Sequence, residues 1–535
     1  MRMQAPSMPP GPASVAEVLS WQKPMWHILL GDIFEGRSRL ERLNRCLRDG
    51  LLATSAFTGM DAARYAVCSG IVELDSFLQL PPDTTAASFV QACDIGVLQR
   101  KFLCQLAETD SNSTCVLGDI EDRLTSGARD LLDQLEPHDG ASVTARAHCY
   151  AAMHHLLLFD PLSFYPRDRT SACSVHPQGC LTCARAALQD SIDNGIEHGA
   201  VWHQQVAYQQ RHANSMSVHF GSTVCSGHSA LGCRSGLGHR SQRSHAQWIS
   251  ERKALATTSD EDVFFHENRP EYPVQAQMRD PLKETHEVLS IITDPLMFAK
   301  PVSRKRRMSC GINRQKWKYI GPQDVQAAFE KLFRRRVCAD GTIFLTASDD
   351  RLVEVYKQIG AKRHVFFEDG LQPSDMFPFI LTAHERKRRR SYLQQASLQG
   401  CEDVGCYDVS QNSRGGNRKD WKRVPCVIPH SVIVSEVRKG MMMGEELVQT
   451  LGVAVHDDAS VLPAYSRSLR NFGHRDMITL AGGAFDVEVY ASFVFFVLCN
   501  IALVEATTPR LIICDFSEDE DSSGDTASVD QLAST

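Results

Sequence analysis

Residues 221–237 read GSTVCSGHSALGCRSGL, and further on residues 264–268 read FFHEN. The first is a short polar run that reaches Cys225 among small residues. The second is an apolar run that ends on Glu267. As neighbouring strands of one sheet, the two runs would set a thiol and a carboxylate side by side at the strands' carboxyl ends. Open α/β sheets bind their ligands there. A nucleophile beside a proton donor is the minimum equipment for covalent attack on an electron-poor ring.

Outward from this pair, residues 20–320 alternate strand-like and helix-like stretches. Strands are predicted over 51–57, 87–93 and 114–118, with helices over 60–70 and 245–256. Polar residues close successive apolar runs, as a parallel sheet with a ligand along one edge requires. The first run leads into Phe57-Thr58-Gly59-Met60-Asp61, where a glycine lets backbone approach a ligand and a helix N-terminus offers free N–H groups. Asp94 closes the second run and could accept both hydroxyls of a ribose. Asp119, in Gly118-Asp119-Ile120, closes the third and could reach an adenine amino group. Each alone reads as a turn or cap; three in strand order point to a nucleoside-type cofactor.

With Cys225 and Glu267 added, the order of motifs resembles the carbon-5 cytosine methyltransferases. In that family a Phe-x-Gly-x-Gly turn is followed by two acids, a cysteine loop, a Glu-Asn-Val strand end and a Gln-x-Arg-x-Arg segment. Here the corresponding pieces are residues 57–61, Asp94 and Asp119, the loop around Cys225, Glu267-Asn268-Arg269, and Val302-Ser303-Arg304-Lys305-Arg306. The last helix, after Leu480-Ala481-Gly482-Gly483, is similar to the family's closing helix. The resemblance covers roughly residues 50–320 and 440–505. The chain departs from the pattern at Asp61, Val224, His228, Arg269, Val302 and Gly483.

The resemblance implies a Rossmann-like, S-adenosylmethionine-dependent α/β sheet with helices on both faces, and a smaller, irregular target-recognition region. It implies Cys225 as nucleophile at cytosine carbon-6 and Glu267 as the proton partner of N3. Arg304 and Arg306 would hold the base and favour thiolate, and Asn268 would orient the Glu267 loop. Phe57, Thr58, Gly59, Met60, Asp94, Asp119, Ile120 and Gly482 would line the cofactor. A base in a duplex must be flipped out of the stack first. The expected substrate is DNA. An RNA-directed enzyme of the same chemistry, and a silent nucleic-acid-binding scaffold that keeps the fold, are the alternatives.

A second constellation is Cys173-x2-His176-x3-Cys180-x2-Cys183, four soft ligands that could wrap a structural zinc. Unligated thiols are the alternative. Cys401, Cys406, Cys426 and His430 form a weaker candidate. Basic runs at 304–307, 334–336 and 386–390, with Trp317, Tyr319 and Tyr392 nearby, suit phosphate neutralisation and base stacking. The 386–390 run also resembles a nuclear localisation signal, so a nuclear protein is expected, with the cytoplasm as alternative.

Composition agrees with a globular core, at 43% hydrophobic and 23% charged residues. The seven acids from Asp515 to Asp530 account for the whole net charge of −7. Eighteen cysteines scattered over 535 residues are not a compact disulfide framework. The N-terminus lacks the apolar core of a secretory signal. The longest apolar run, 489–504, is interrupted by Asn500 and reads as a buried helix, not a membrane span. The expected organisation is a disordered lead-in over 1–19, a catalytic domain over 20–321 with a Cys/His insertion near 160–215, a target-recognition region over 322–439, a return to the catalytic domain over 440–510, and a disordered acidic tail over 511–535.

Overall fold

The computed structural model describes residues 8–32, 35–81, 84–109, 114–164, 214–223, 235–401, 404–413, 421–456 and 461–504. Seven strands form the central sheet: β1 (Leu51–Ala56), β2 (Ala87–Cys93), β3 (Cys115–Leu117), β4 (Met216–Gly221), β5 (Val263–Asn268), β6 (His286–Thr293) and β7 (Arg306–Asn313). Their spatial order is β3-β2-β1-β4-β5-β7-β6. Strands β1 to β5 are mutually parallel, and β7 runs antiparallel between β5 and β6. This is the mixed α/β, Rossmann-like sheet expected from the strand-helix alternation. Successive strands step outward in one direction from β1 and in the other from β4. The topological switch point therefore lies between β1 and β4, where such sheets open a ligand crevice.

The central strands are buried on both faces because helices cover each side. Every residue of β5, VFFHEN, is buried, as a doubly covered parallel strand requires. One face carries helices Gln22–Leu30, Ala62–Phe77 and Val487–Leu498. Trp26 locks them together: its Nε1 donates to Gly70 O at 2.8 Å, and its ring packs on Phe495 at 4.6 Å. A Cβ at Gly70 would collide with the Phe495 ring, so glycine is what allows the helices this close. The other face carries helices Ser241–Thr257, Val143–Phe159 and Ser126–Leu135.

Several expectations change here. The lead-in is partly ordered: Ser14 caps helix Val15–Leu19, and Gly11 N bonds to Arg336 O. Both belong to the main body. Strand β4 spans 216–221, earlier in the chain than expected, because Met216, Val218 and Phe220 supply the apolar alternation that 221–225 lacks. The apolar run near the C-terminus forms helix Val487–Leu498 and then an edge strand, Ile501–Leu503, paired with Trp317–Tyr319. The stretch His474–Leu498 is long and apolar enough to cross a membrane, yet 89% of its most apolar window is buried within the protein. It is core.

The expected irregular region is not irregular. Helices Asp349–Lys362, Pro373–Ile380 and Ala383–Leu398 pack with a three-stranded antiparallel sheet of Cys406–Asp408, Ile433–Ser435 and Gly440–Met441. This lobe has its own core around Tyr356, Phe377, Tyr407 and Trp421. Periodicity was masked by the charge of AHERKRRRSYLQQASL, whose helix is held instead by a Thr382–Glu385 capping box. The acidic tail and most of the 160–215 insertion lie outside the described residues.

Candidate active site

The cleft at the switch point starts from the turn after β1. Phe57, Gly59 and Asp61 all have left-handed backbones, with φ of 54°, 57° and 50°. Gly59 suits its position twice, by its positive φ and by its close approach to Gly483 O. Asp tolerates that region better than most residues, whereas Phe57 there is strained. The turn is pinned by Asp94. Its Oδ2 accepts from Gly59 N and its Oδ1 from Gly96 N, both at 2.8 Å. Burial pushes the Asp94 carboxyl up, and the two amides oppose the shift. Each oxygen keeps a second lone pair, so a ribose hydroxyl remains within its capacity. Ile95, next in the chain, is 66% exposed and offers an apolar surface at the same edge.

The cleft itself is lined by Phe57, Thr58, Asp61, Ser222, Phe485 and Tyr490, among others. Phe485 and Tyr490 stack at 4.1 Å to form one wall. The remaining expected cofactor residues sit differently. Met60 is buried in the core and its carbonyl accepts from Tyr465. Ile120 is buried in a satellite core. Asp119 caps the short turn Ile120–Arg123 by accepting from Glu121 N at 2.9 Å. Gly482 is a packing glycine: a Cβ would strike the backbone of Ile428 and Pro429. Among the expected cofactor residues, Phe57 and Thr58 line the cleft directly.

Strands β4 and β5 are parallel neighbours, with Gly221 opposite His266. Their ends are tied by side chains. Ser222 Oγ donates to Glu267 Oε2 at 2.6 Å. Asn268 Nδ2 donates to Thr223 O at 3.0 Å and to its hydroxyl at 3.1 Å, while Asn268 Oδ1 accepts from Arg269 N at 2.8 Å. Asn268 thus staples the two strand ends together. Beneath them His266 Nε2 pairs with Thr223 Oγ1 at 2.8 Å. Burial alone pulls the His266 imidazole down to about 3, so it stays neutral.

The two arginines divide their work. Arg306 Nε forms an ion pair with Glu267 Oε1 at 2.7 Å, so this carboxylate is held from both sides. Arg304 is buried and spends its guanidinium on backbone carbonyls, with Nη1 on Val427 O at 2.9 Å and Nη2 on Ala484 O. It clasps the returning segments, and its guanidinium is spent there. Cys426 sits between them: Arg304 Nη1 and Arg306 Nη2 each lie 3.6 Å from its sulfur. Burial pushes the Cys426 thiol up, but the guanidinium groups of Arg304, Arg306 and Arg269 outweigh it and hold the thiol below its ordinary value. Sequence reading placed Cys426 only in a possible metal set. No group of three metal-ligating side chains occurs among the described residues, so Cys401, Cys406, Cys426 and His430 do not form one. Cys225, and Cys173, His176, Cys180 and Cys183, lie outside the described residues.

The basic runs are largely engaged. Arg307 donates to Pro270 O, Arg335 pairs with Glu488, and Arg334 with Glu330. On helix Ala383–Leu398, Arg389 makes a bidentate pair with Glu436, and Arg388 donates to the carbonyls of Val409 and Ser410. Lys387 and Arg390 stay exposed.

No protein-family profile matches the chain, and no curated protein matches it. Among solved structures, the methyltransferase EhMeth of Entamoeba histolytica has a similar arrangement at 10% identity, with 84% of this chain and 98% of that chain covered and a TM-score of 0.36. Dnmt2 of S. pombe gives 11% identity, 84% and 98% coverage, and 0.36. A variant of DNMT2 from Spodoptera frugiperda gives 10% identity, 84% and 99% coverage, and 0.35.

Proposed function

We propose that this protein transfers a methyl group from S-adenosylmethionine to carbon-5 of cytosine in DNA. The observation that carries the reading is Glu267, held by Ser222 and Arg306 at the joined ends of β4 and β5, beside the switch-point cleft.

The residues of the cleft fit the cofactor. Thr58 Oγ1, Asp61 Oδ2 and Tyr490 OH are buried without hydrogen-bond partners among the described residues, and all three belong to cleft-lining side chains. Thr58 and Asp61 would hold its amino-acid end, and Asp94 and Ile95 its nucleoside end. When bound, S-adenosylmethionine supplies an electrophilic methyl on a sulfonium.

The chain's own residues do the rest. Cytosine carbon-5 is a poor nucleophile. The Cys225 thiolate adds to carbon-6 and Glu267 gives a proton to N3, which makes carbon-5 electron-rich. After methylation, loss of the carbon-5 proton to a base expels the Cys225 thiolate, and return of the N3 proton to Glu267 restores the ring. Arg306 fixes the orientation of the Glu267 carboxylate, and Asn268 fixes the β4 end that leads to Cys225. The helical lobe 349–441 presents Lys387 and Arg390 to the nucleic acid.

Methyl incorporation from labelled S-adenosylmethionine, compared among wild type, Cys225→Ala and Glu267→Ala, tests the reading. DNA and RNA are run side by side. Incorporation into DNA by wild type alone is the expected result. Equal incorporation by Cys225→Ala removes that thiol from the mechanism, and transfer to RNA only replaces the substrate.

A further inference from the structure

The switch-point cleft contains a carboxylate that the mechanism above does not use as an acid or base. Asp61 is 1% exposed. Its Oδ1 faces the Ser55 hydroxyl at 3.4 Å, and its Oδ2 has no hydrogen-bond donor among the described residues. The nearest cation is Arg64, 3.9 Å away, whose Nη2 already donates to Thr114. Asp61 is therefore a buried carboxylate lining the cleft, with its Oδ2 unsatisfied.

Two further orphaned oxygens share that cleft, Thr58 Oγ1 and Tyr490 OH. Both residues are buried. Of the lining side chains, only Asp61 carries charge at neutral pH; burial holds the Tyr490 phenol well above its ordinary value. A second carboxylate brought here would meet like charge. A protonated primary amine, with three N–H donors, would meet an anionic acceptor in a cleft that two further unsatisfied oxygens also line. Leaving a buried carboxylate unmatched is costly, and a charge-assisted bond recovers that cost when the amine arrives.

From this we infer that Asp61 is the anchor for a primary ammonium group, and that a ligand enters this cleft amine first. The inference rests on the methyltransferase reading for the identity of the ligand, whose α-ammonium would be that group, but not for the chemistry of the anchor. Asp61 stands where the resembled motif has its second glycine, so the anchor belongs to this chain's own sequence.

Equilibrium binding by titration calorimetry tests the inference without turnover. The full chain is titrated with S-adenosylhomocysteine, its N-acetyl derivative, 5′-methylthioadenosine and methioninamide. Wild type is expected to bind S-adenosylhomocysteine at least about tenfold tighter than the N-acetyl derivative or methylthioadenosine. In Asp61→Asn that preference should shrink to within about twofold, with the circular dichroism spectrum unchanged. Tight binding of the N-acetyl derivative to wild type overturns the anchor, and this arm needs no variant. An undiminished preference in Asp61→Asn overturns it too. Should no adenosyl compound bind while methioninamide binds in an Asp61-dependent way, the methyltransferase reading falls and the anchor stands. Binding of none of the four overturns both.

Discussion

Arg306 on β7 and Glu267 on β5 meet at 2.7 Å across an antiparallel strand pair. The same guanidinium lies 3.6 Å from the sulfur of Cys426, a residue of the returning segment. One arginine thus connects a carboxylate on the sheet to a thiol more than a hundred residues further along the chain. Because Arg306 is only 17% exposed at its side chain, that charge is poorly screened by water.

Arg304 and Arg306, two residues apart, should fail in different ways. Arg304→Ala would orphan the carbonyls of Val427 and Ala484 in the core. Leaving each buried carbonyl unsatisfied typically costs about 1–3 kcal/mol, so denaturant unfolding should show a large loss of stability. Arg306→Ala leaves Glu267 the Ser222 hydroxyl as partner, so it should cost less stability than Arg304→Ala, yet lower methyl transfer by about 10- to 100-fold through a loosened Glu267. Equal stability losses for the two would contradict this division.

Cys426 should behave as an activated thiol. The arginines favour its thiolate despite burial, so replacing Arg306 with Met should slow its alkylation by iodoacetamide at pH 7. Roughly a tenfold slowing is expected. Peptide mass spectrometry reads the site directly, with exposed Cys338 as the internal control. No change in rate would show that Arg306 does not set the reactivity of Cys426.

The Asp61 carboxyl is pushed up by burial to about 6 from an ordinary 3.8, with Arg64 and the Ser55 hydroxyl opposing the shift. Tyr465 and Tyr490 also face it, and Glu267 lies beyond Tyr490. A carboxyl that holds its proton more tightly when folded favours the folded state at low pH. That stability is lost as pH rises through about 6. Asp61→Asn should therefore stabilise the ligand-free protein at pH 7, by on the order of 1–3 kcal/mol, with no gain left at pH 4. Binding of a primary amine should weaken as pH falls below about 6. Stability and amine affinity moving in opposite directions in one variant is the signature of a residue kept for a ligand.

Lys387 and Arg390 are exposed cations of helix Ala383–Leu398, while Arg386, Arg388 and Arg389 are engaged by the lobe itself. Removing one phosphate-neutralising cation reduces the salt slope of binding by about one. The pair Lys387→Ala, Arg390→Ala should weaken binding to DNA duplexes of any sequence and lower that slope by about two. Arg389→Ala should instead perturb the lobe, by freeing Glu436. Unchanged salt dependence in the double variant would move the nucleic-acid surface elsewhere.

Short-range pattern carried much of this in the sequence. Apolar runs of strand length closed by polar residues gave β1, β2, β3 and β5, because a strand buried on both faces has to be apolar along its length. The ordering of Phe57–Asp61, Asp94, Asp119 and Glu267 along those strands was legible for the same reason. Strand β4 was misplaced toward Cys225, since small polar residues such as Gly221, Ser222 and Thr223 do not mark where pairing stops. The helical lobe was hidden because its helices are surfaced with charge and its core is drawn from scattered aromatics.

Residue types and their order along the chain were enough to specify the sheet, the turn after its first strand and the acidic residue at the end of its fifth. Which arginine serves Glu267 and which holds the backbone could not be read from Arg304 and Arg306 themselves, because the two differ only in where the 424–428 and 482–484 segments come to rest. The same holds for Cys426 and Tyr490, which reach the site only through packing made far along the chain. Local periodicity encodes an element; the surroundings of a charge or thiol are fixed only when distant segments pack against it, and that packing also fixes its solvation and its partners.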